Sequence, residues 1–106
     1  MDRLVLLGDV LQCIEDFHWE DFLFAVTRPP WTSETRCAVL ERDPYSDELP
    51  EEARRLSLVP VLQVQDVKSV VRNAMRQRPD IQAADLVRAL EFYFTRDAFI
   101  DFQGVP

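Results

Sequence analysis

The sequence predicts an α+β domain: a small, mainly antiparallel sheet of about three strands packed against three main helices, in the order α-β-β-(α)-β-α-α. Three observations carry this. Apolar residues recur at helical spacing near the start of the chain and twice in its last third. Between those stretches lie three short runs rich in Val, Leu and Phe, separated by polar segments with Pro and Asp. The chain has 106 residues, 47% of them hydrophobic, which is the size and content of one globular domain with one core.

Each element has a local reason. Over residues 3–16, Leu4, Leu7, Leu11 and Ile14 fall on one helical stripe with Val10 beside it. Gly8 inside that helix costs about 1 kcal/mol against alanine. "FLFAV" (22–26) reads as a strand, and "TRPPW" ends it, because two prolines remove two backbone donors. "TRCAVLER" (35–42) reads as the second strand of an antiparallel hairpin with a long, Pro-containing loop. In "PEEARR", Pro50 suits a first helical position, and Glu51 and Glu52 suit the positive end of a short helix. "LVPVLQV" (58–64) reads as a third strand, with Pro60 pointing to a sheet edge.

Two longer helices follow. Asp66 is a candidate cap for the first, with Val67, Val70, Val71, Ala74 and Met75 as its buried face. "RPD" breaks it. The second, "IQAADLVRALEFYFTRD", turns Leu86, Ala89, Leu90 and Tyr93 to one side, with Val87 and Phe94 adjacent. Phe99, Ile100 and Phe102 are expected to pack the tail.

Composition excludes several function classes. Phosphate-cradling loops need glycine for close backbone approach, and Gly8 and Gly104 are the only glycines. No apolar run reaches the roughly 18 residues needed to span a bilayer. The apolar start "LVLLGDVLQCI" is interrupted by Asp9 and lacks a following cleavage site, so a secretory signal is not expected. A cytoplasmic location and two reduced thiols, Cys13 and Cys37, follow as expectations, both thiols as inert core groups. Cys13, His18 and Cys37 do not have the spacing of a zinc site, so neither metal nor cofactor is expected. The net charge of −7 disfavours direct binding of nucleic acid or an anionic membrane and suits a basic partner.

No motif assigns catalysis. His18 is the single histidine, and the neighbouring carboxylates of "DFHWEDF" are not by themselves an orienting partner for a general base. Taken one at a time, the carboxylates read as solvated surface. Their distribution is more specific. Residues 9–21 carry Asp9, Glu15, Asp16, Glu20 and Asp21, and residues 43–52 carry Asp43, Asp47, Glu48, Glu51 and Glu52, while all 12 Lys and Arg lie outside both segments. Such segregation points to acidic patches that steer a cationic partner. The candidate contact residues are therefore Glu15, Asp16, Glu20 and Asp21 with Trp19 as an aromatic anchor, and Asp43, Asp47, Glu48, Glu51 and Glu52; the alternative reading places Trp19 with Phe17, Phe22 and Phe24 in the core or at its edge and leaves both acidic segments as solvated loops. Lys68, Arg72 and Arg76 form a basic stripe opposite the valines, either a solvated helix face or a contact to an acidic surface, including a second copy.

The stretches "CIEDFHWEDFLF", "PWTSETRCAVLERD", "LQVQDVKSVVRNAMRQRPD" and "DLVRALEFYFTRDAFIDF" resemble a family of small, acidic bacterial proteins read as immunity proteins of polymorphic or contact-dependent toxin systems. The resemblance covers most of residues 7–102 and brings no catalytic motif. It implies a cytoplasmic antitoxin, not an enzyme, that sequesters a cognate toxin domain with a basic surface, often a nuclease. Three other classes compete with it. An acidic inhibitor that mimics nucleic acid, such as an anti-CRISPR protein, would use the same physics in a phage context. A minor enzyme or small-molecule sensor requires an apolar pocket with convergent polar groups. A purely structural homodimer would declare itself in the solution mass.

Overall fold

A computed structural model describes residues 4–43, 45 and 48–102. Strand β1 (Val5–Leu6) runs directly into helix α1 (Leu7–Gln12), and a single 3-10 turn (Ile14–Asp16) follows. Then come β2 (Phe22–Ala25), β3 (Arg36–Leu40), α2 (Glu51–Arg55), β4 (Val59–Gln63), α3 (Val64–Gln77) and α4 (Ala83–Arg96). The four strands form one antiparallel sheet in the order β1-β3-β2-β4. The domain is α+β as expected, with one strand more than the patterns indicated.

The extra strand comes from the beginning of the expected first helix. Leu6 is extended, and Val5 and Leu6 pair with Cys37 and Arg36. The helix starts only at Leu7. Its first N–H groups are satisfied by the β2–β3 loop: Leu7 N–H donates to the Thr35 carbonyl (2.8 Å) and Gly8 N–H to that of Ser33 (2.9 Å). This close approach also accounts for Gly8, since a Cβ there would lie 2.8 Å from the Ser33 Cβ. From Leu7 onward the apolar stripe holds, with Leu7, Val10, Leu11 and Ile14 all buried, whereas Leu4 precedes the helix and packs against the separate cluster that contains Phe24.

Strand register decides which residues face which layer. Directly opposed residues share a face, so Leu23 with Val39 and Ala25 with Cys37 point to one side, and Phe22 with Leu40 and Phe24 with Ala38 to the other. The first side packs on α1, α3 and α4, through Leu11, Val67, Val71, Leu86 and Leu90. The second holds a smaller cluster of Phe24, Ala38, Leu40 and Leu58 with Ala53 of α2. The sheet is thus covered on both faces, the second by the short α2. A bulge opposite Leu23 and Phe24 shifts the β2–β4 register, and β4, with Pro60, is an edge strand.

Three side-chain expectations need correction. Asp66 does not cap α3; the helix begins two residues earlier, where Val64 N–H donates to the Asp21 carbonyl (2.8 Å) and Gln65 N–H to that of Trp19 (3.1 Å). Met75, at the margin of the valine stripe, is 47% exposed. Cys13 is exposed, because α1 tightens into the 3-10 turn there and rotates the residue off the apolar stripe; Cys37 is buried, and burial pushes its thiol up to about 12. Both thiols are free.

The loops close the core. Trp31, in the loop read as "TRPPW", is buried against Phe94, with its backbone N–H donating to Glu91 Oε1 (2.7 Å) and its indole N–H to the Thr27 carbonyl (2.9 Å). Gln77 clamps the tail: its amide nitrogen donates to the Ile100 carbonyl (2.8 Å), and its amide oxygen accepts from Phe102 N–H (2.9 Å). Ile100 and Phe102 pack on the core, while Phe99 is half exposed against Tyr93.

Candidate functional site

The register that builds the sheet also gathers the acids. Phe22 opens β2 and pairs with Leu40, which closes β3. The residues just before β2 and just after β3 therefore leave the same end of the sheet. There they form a groove of about 610 Å³ lined by His18, Glu20, Asp21, Glu41, Arg42 and Asp43. A second hollow, of about 380 Å³, shares Asp21 and Glu41 with it and reaches Pro50 and Glu52 at the start of α2. Two segments that are distant in sequence, both acidic, thus meet around one concave surface.

The turn that carries one wall is held by its backbone. Asp21 N–H donates to the His18 carbonyl (3.0 Å), and the carbonyls of Trp19 and Asp21 accept from the first turn of α3. Glu20 N–H donates to His18 Nδ1 (3.2 Å). The His18 and Trp19 rings stack with centroids 5.9 Å apart, and Trp19 is 49% exposed. On the other wall, Arg42 lies over the Phe22 ring at 4.9 Å. Asp43 Oδ1 accepts from Tyr45 N–H (2.9 Å), and the Tyr45 ring is almost wholly in solvent.

The expected contact residues divide into groups. Glu20, Asp21 and Asp43 line the groove, Glu52 lines the adjoining hollow, and Trp19 stands beside the groove. Glu15 does not join them. It makes a two-pronged ion pair with Arg72 of α3, at 2.8 Å for each hydrogen bond, which holds its carboxyl below the usual carboxylate range. The same pair claims the middle residue of the basic stripe. Asp16, Glu48 and Glu51 are exposed and line neither hollow. Asp47 lies outside the described residues.

Glu41, Arg42 and Tyr45 were not singled out from the sequence. Glu41 sits in a strand-like run, and Arg42 cancels it in any count along the chain. The one available signal was the hairpin itself, because pairing β2 with β3 sets residue 41 beside residue 21.

Other possible chemistry is limited. Among the described residues no group of three or more His, Cys, Asp or Glu is placed to hold a metal ion. Among the same residues no helix is long and apolar enough to cross a membrane. A further hollow of about 480 Å³ lies among Pro30, Arg88, Phe92 and Ile100, away from the acidic end.

Fold and site together define an α+β domain with an acidic surface groove at one end of its sheet. The chain belongs to the family described as Domain of unknown function (DUF7716), whose profile matches residues 4–102. No curated protein and no solved structure matches the chain.

Proposed function

We propose that this chain is an immunity protein: it binds a cognate protein toxin through a basic surface of that toxin, of the nuclease class, and neutralises it in the cytoplasm by occupying that surface, with no catalysis or cofactor of its own. The observation that carries the reading is the convergence of Glu20, Asp21, Glu41 and Asp43 on one groove, with Glu52 in the hollow that adjoins it. A nuclease must attract phosphate, so it presents the cationic surface that such a groove complements. Trp19 and Tyr45 supply exposed aromatic rings next to the carboxylates, the residue types enriched where binding energy concentrates. A standard interface covers about 800 Å² per partner, which fits within the 6855 Å² surface of this chain.

The test is co-purification from the native host with the partner identified by mass, run in parallel with the Glu20→Lys/Glu41→Lys variant. The reading requires a basic partner whose expression alone arrests growth. The wild-type chain should relieve the arrest and the variant should not. A partner set unchanged by the double reversal, or one without a basic, growth-arresting protein, removes the proposal.

A further inference from the structure

We propose that residues 98–102 are an exchangeable arm, with Asp97 as its hinge: the arm closes over its own chain in the monomer and over a second copy of this chain in a domain-swapped dimer. None of the residues involved lines the acidic groove or the hollow beside it.

The hinge is strained by the way α4 ends. Helices commonly stop where glycine or asparagine turns left-handed, or where proline follows. α4 stops without either. Residues 97–102 read "DAFIDF", with no glycine, asparagine or proline among them. Asp97 N–H still donates to the Tyr93 carbonyl at 2.8 Å, as in a continuing helix. Asp97 itself then turns left-handed, at φ 53° and ψ 39°. That conformation crowds any residue with a Cβ, aspartate less than most, and only glycine adopts it freely. What holds the turn is therefore the seating of the arm on α3 and α4.

The seat is small and built from side chains. The Gln77 amide reads the backbone of the arm twice, donating to the Ile100 carbonyl and accepting from Phe102 N–H. The Phe102 ring lies under Arg78 at 5.1 Å and Arg88 at 5.9 Å. Phe99 rests on Tyr93 with centroids 5.4 Å apart, and Ile100 packs on the main core. A second copy presents the same Gln77, Arg78, Arg88 and Tyr93, so its seat accepts this arm by the same contacts. Exchange then changes only the hinge. With Asp97 returned to the right-handed region, the chain runs on past the end of α4, away from its own seat, and the strain is released in both copies. Short hinges under strain favour this route to a two-fold dimer. The loss of independent motion of two molecules opposes it, so the dimer grows with concentration.

Two measurements on the full chain test hinge and seat. Light scattering over a concentration series compares wild type with Asp97→Gly and Asp97→Ala. Wild type should pass from monomer to dimer as concentration rises. Glycine takes the left-handed turn freely, so Asp97→Gly should weaken the dimer at least about tenfold over its two hinges. Asp97→Ala favours a continuing helix and should tighten it. Asp97 is exposed, so neither change removes a core contact. Wild type and Asp97→Ala that both stay monomeric at the highest concentration overturn the proposal, and so does a dimer that all three proteins form equally well. The second measurement uses dimers reassembled from isotope-labelled and unlabelled chains. NMR should show Phe102 of one copy against Gln77 of the other. A dimer that keeps those contacts within each chain overturns the exchange, because the copies then meet elsewhere.

Discussion

On one face of the sheet, α1, α3 and α4 bury Leu11, Val64, Val67 and Leu90 completely; on the other, α2 adds Ala53 to a small cluster around Phe24. The helical face holds long, periodic elements. The α2 face is bounded by loops, and those loops meet at the acidic end. Gathering like charges opposes folding, because each carboxylate repels the next. Here they are gathered where little packing depends on them, while the thick face supplies most of the hydrophobic stabilisation. Stability and the candidate contact surface are thereby kept apart in a chain of only 106 residues.

Equivalent truncations on the two faces would break or sharpen this division. Leu90→Ala removes a side chain with 0% exposure between α4 and its neighbours, and its cost should lie near the top of the 2–5 kcal/mol range for such changes. Leu40→Ala makes the same chemical change in the smaller cluster, where partly buried Phe22, Leu49 and Leu56 can move in. It should fall near the bottom of that range, about 2 kcal/mol. Urea unfolding of both variants decides the matter, and equal losses would show that the α2 face carries as much of the fold as the helical one.

That division also separates what was legible in the sequence from what was not. The buried faces of α3 and α4 follow a 3.6-residue period, and Val67, Val70, Val71, Ala74, Leu86 and Leu90 could be named from spacing alone. Met75 misled because it borders the stripe, where small rotations decide exposure. β1 was hidden because Val5 and Leu6 belong to an apolar run that also fits a helix, and only pairing with Cys37 and Arg36 makes them a strand. The candidate site was legible in its charge but not in its membership. Glu41 joins through hairpin register and Glu15 leaves through Arg72, and neither event is local in sequence.

Gly8 marks the seam between the helical layer and the β2–β3 loop. By helix propensity alone, Gly8→Ala should stabilise the chain by up to about 1 kcal/mol. The new Cβ would instead meet the Cβ of Ser33 at 2.8 Å and its carbonyl oxygen at 3.1 Å, so the loop must shift. The expected result is a loss of about 1–3 kcal/mol, the range for overpacking, read as a lower urea midpoint. A gain would mean that the 33–35 loop yields freely and that β1 and α1 are not pinned by it.

A smaller effect comes from the pair that removes Glu15 from the groove. Because Arg72 hydrogen-bonds to it, the folded-state Glu15 carboxyl titrates below its ordinary value. A depressed carboxylate stabilises the fold above its unfolded-state value, and this contribution disappears as pH falls through the folded one. Glu15→Gln should therefore be slightly less stable than wild type at neutral pH, with the gap closing below the carboxylate range. Both partners are well exposed, so the gap should also shrink at high salt. Urea midpoints at neutral and acidic pH, each at low and high salt, measure it. A gap that survives acidification would trace to something other than this ion pair.

The least effect on the fold belongs to the groove itself, and this is where the contrast between the two faces is most exposed to failure. Glu20→Lys and Glu41→Lys each replace one exposed carboxylate among several neighbours of like sign. Neither side chain belongs to the ion pairs of Glu15, Glu52 or Asp85, and each substitution relieves repulsion. The melting temperature of the double variant should stay level or rise slightly. If the groove carries recognition, the same change should still abolish relief of growth arrest by the partner. A variant that loses both stability and protection would place recognition and packing in the same residues. A variant as stable and as protective as wild type would leave the acidic end without a part in binding, and the contact would have to be sought on α3 and α4, where Arg76, Arg88 and Arg96 provide the opposite charge.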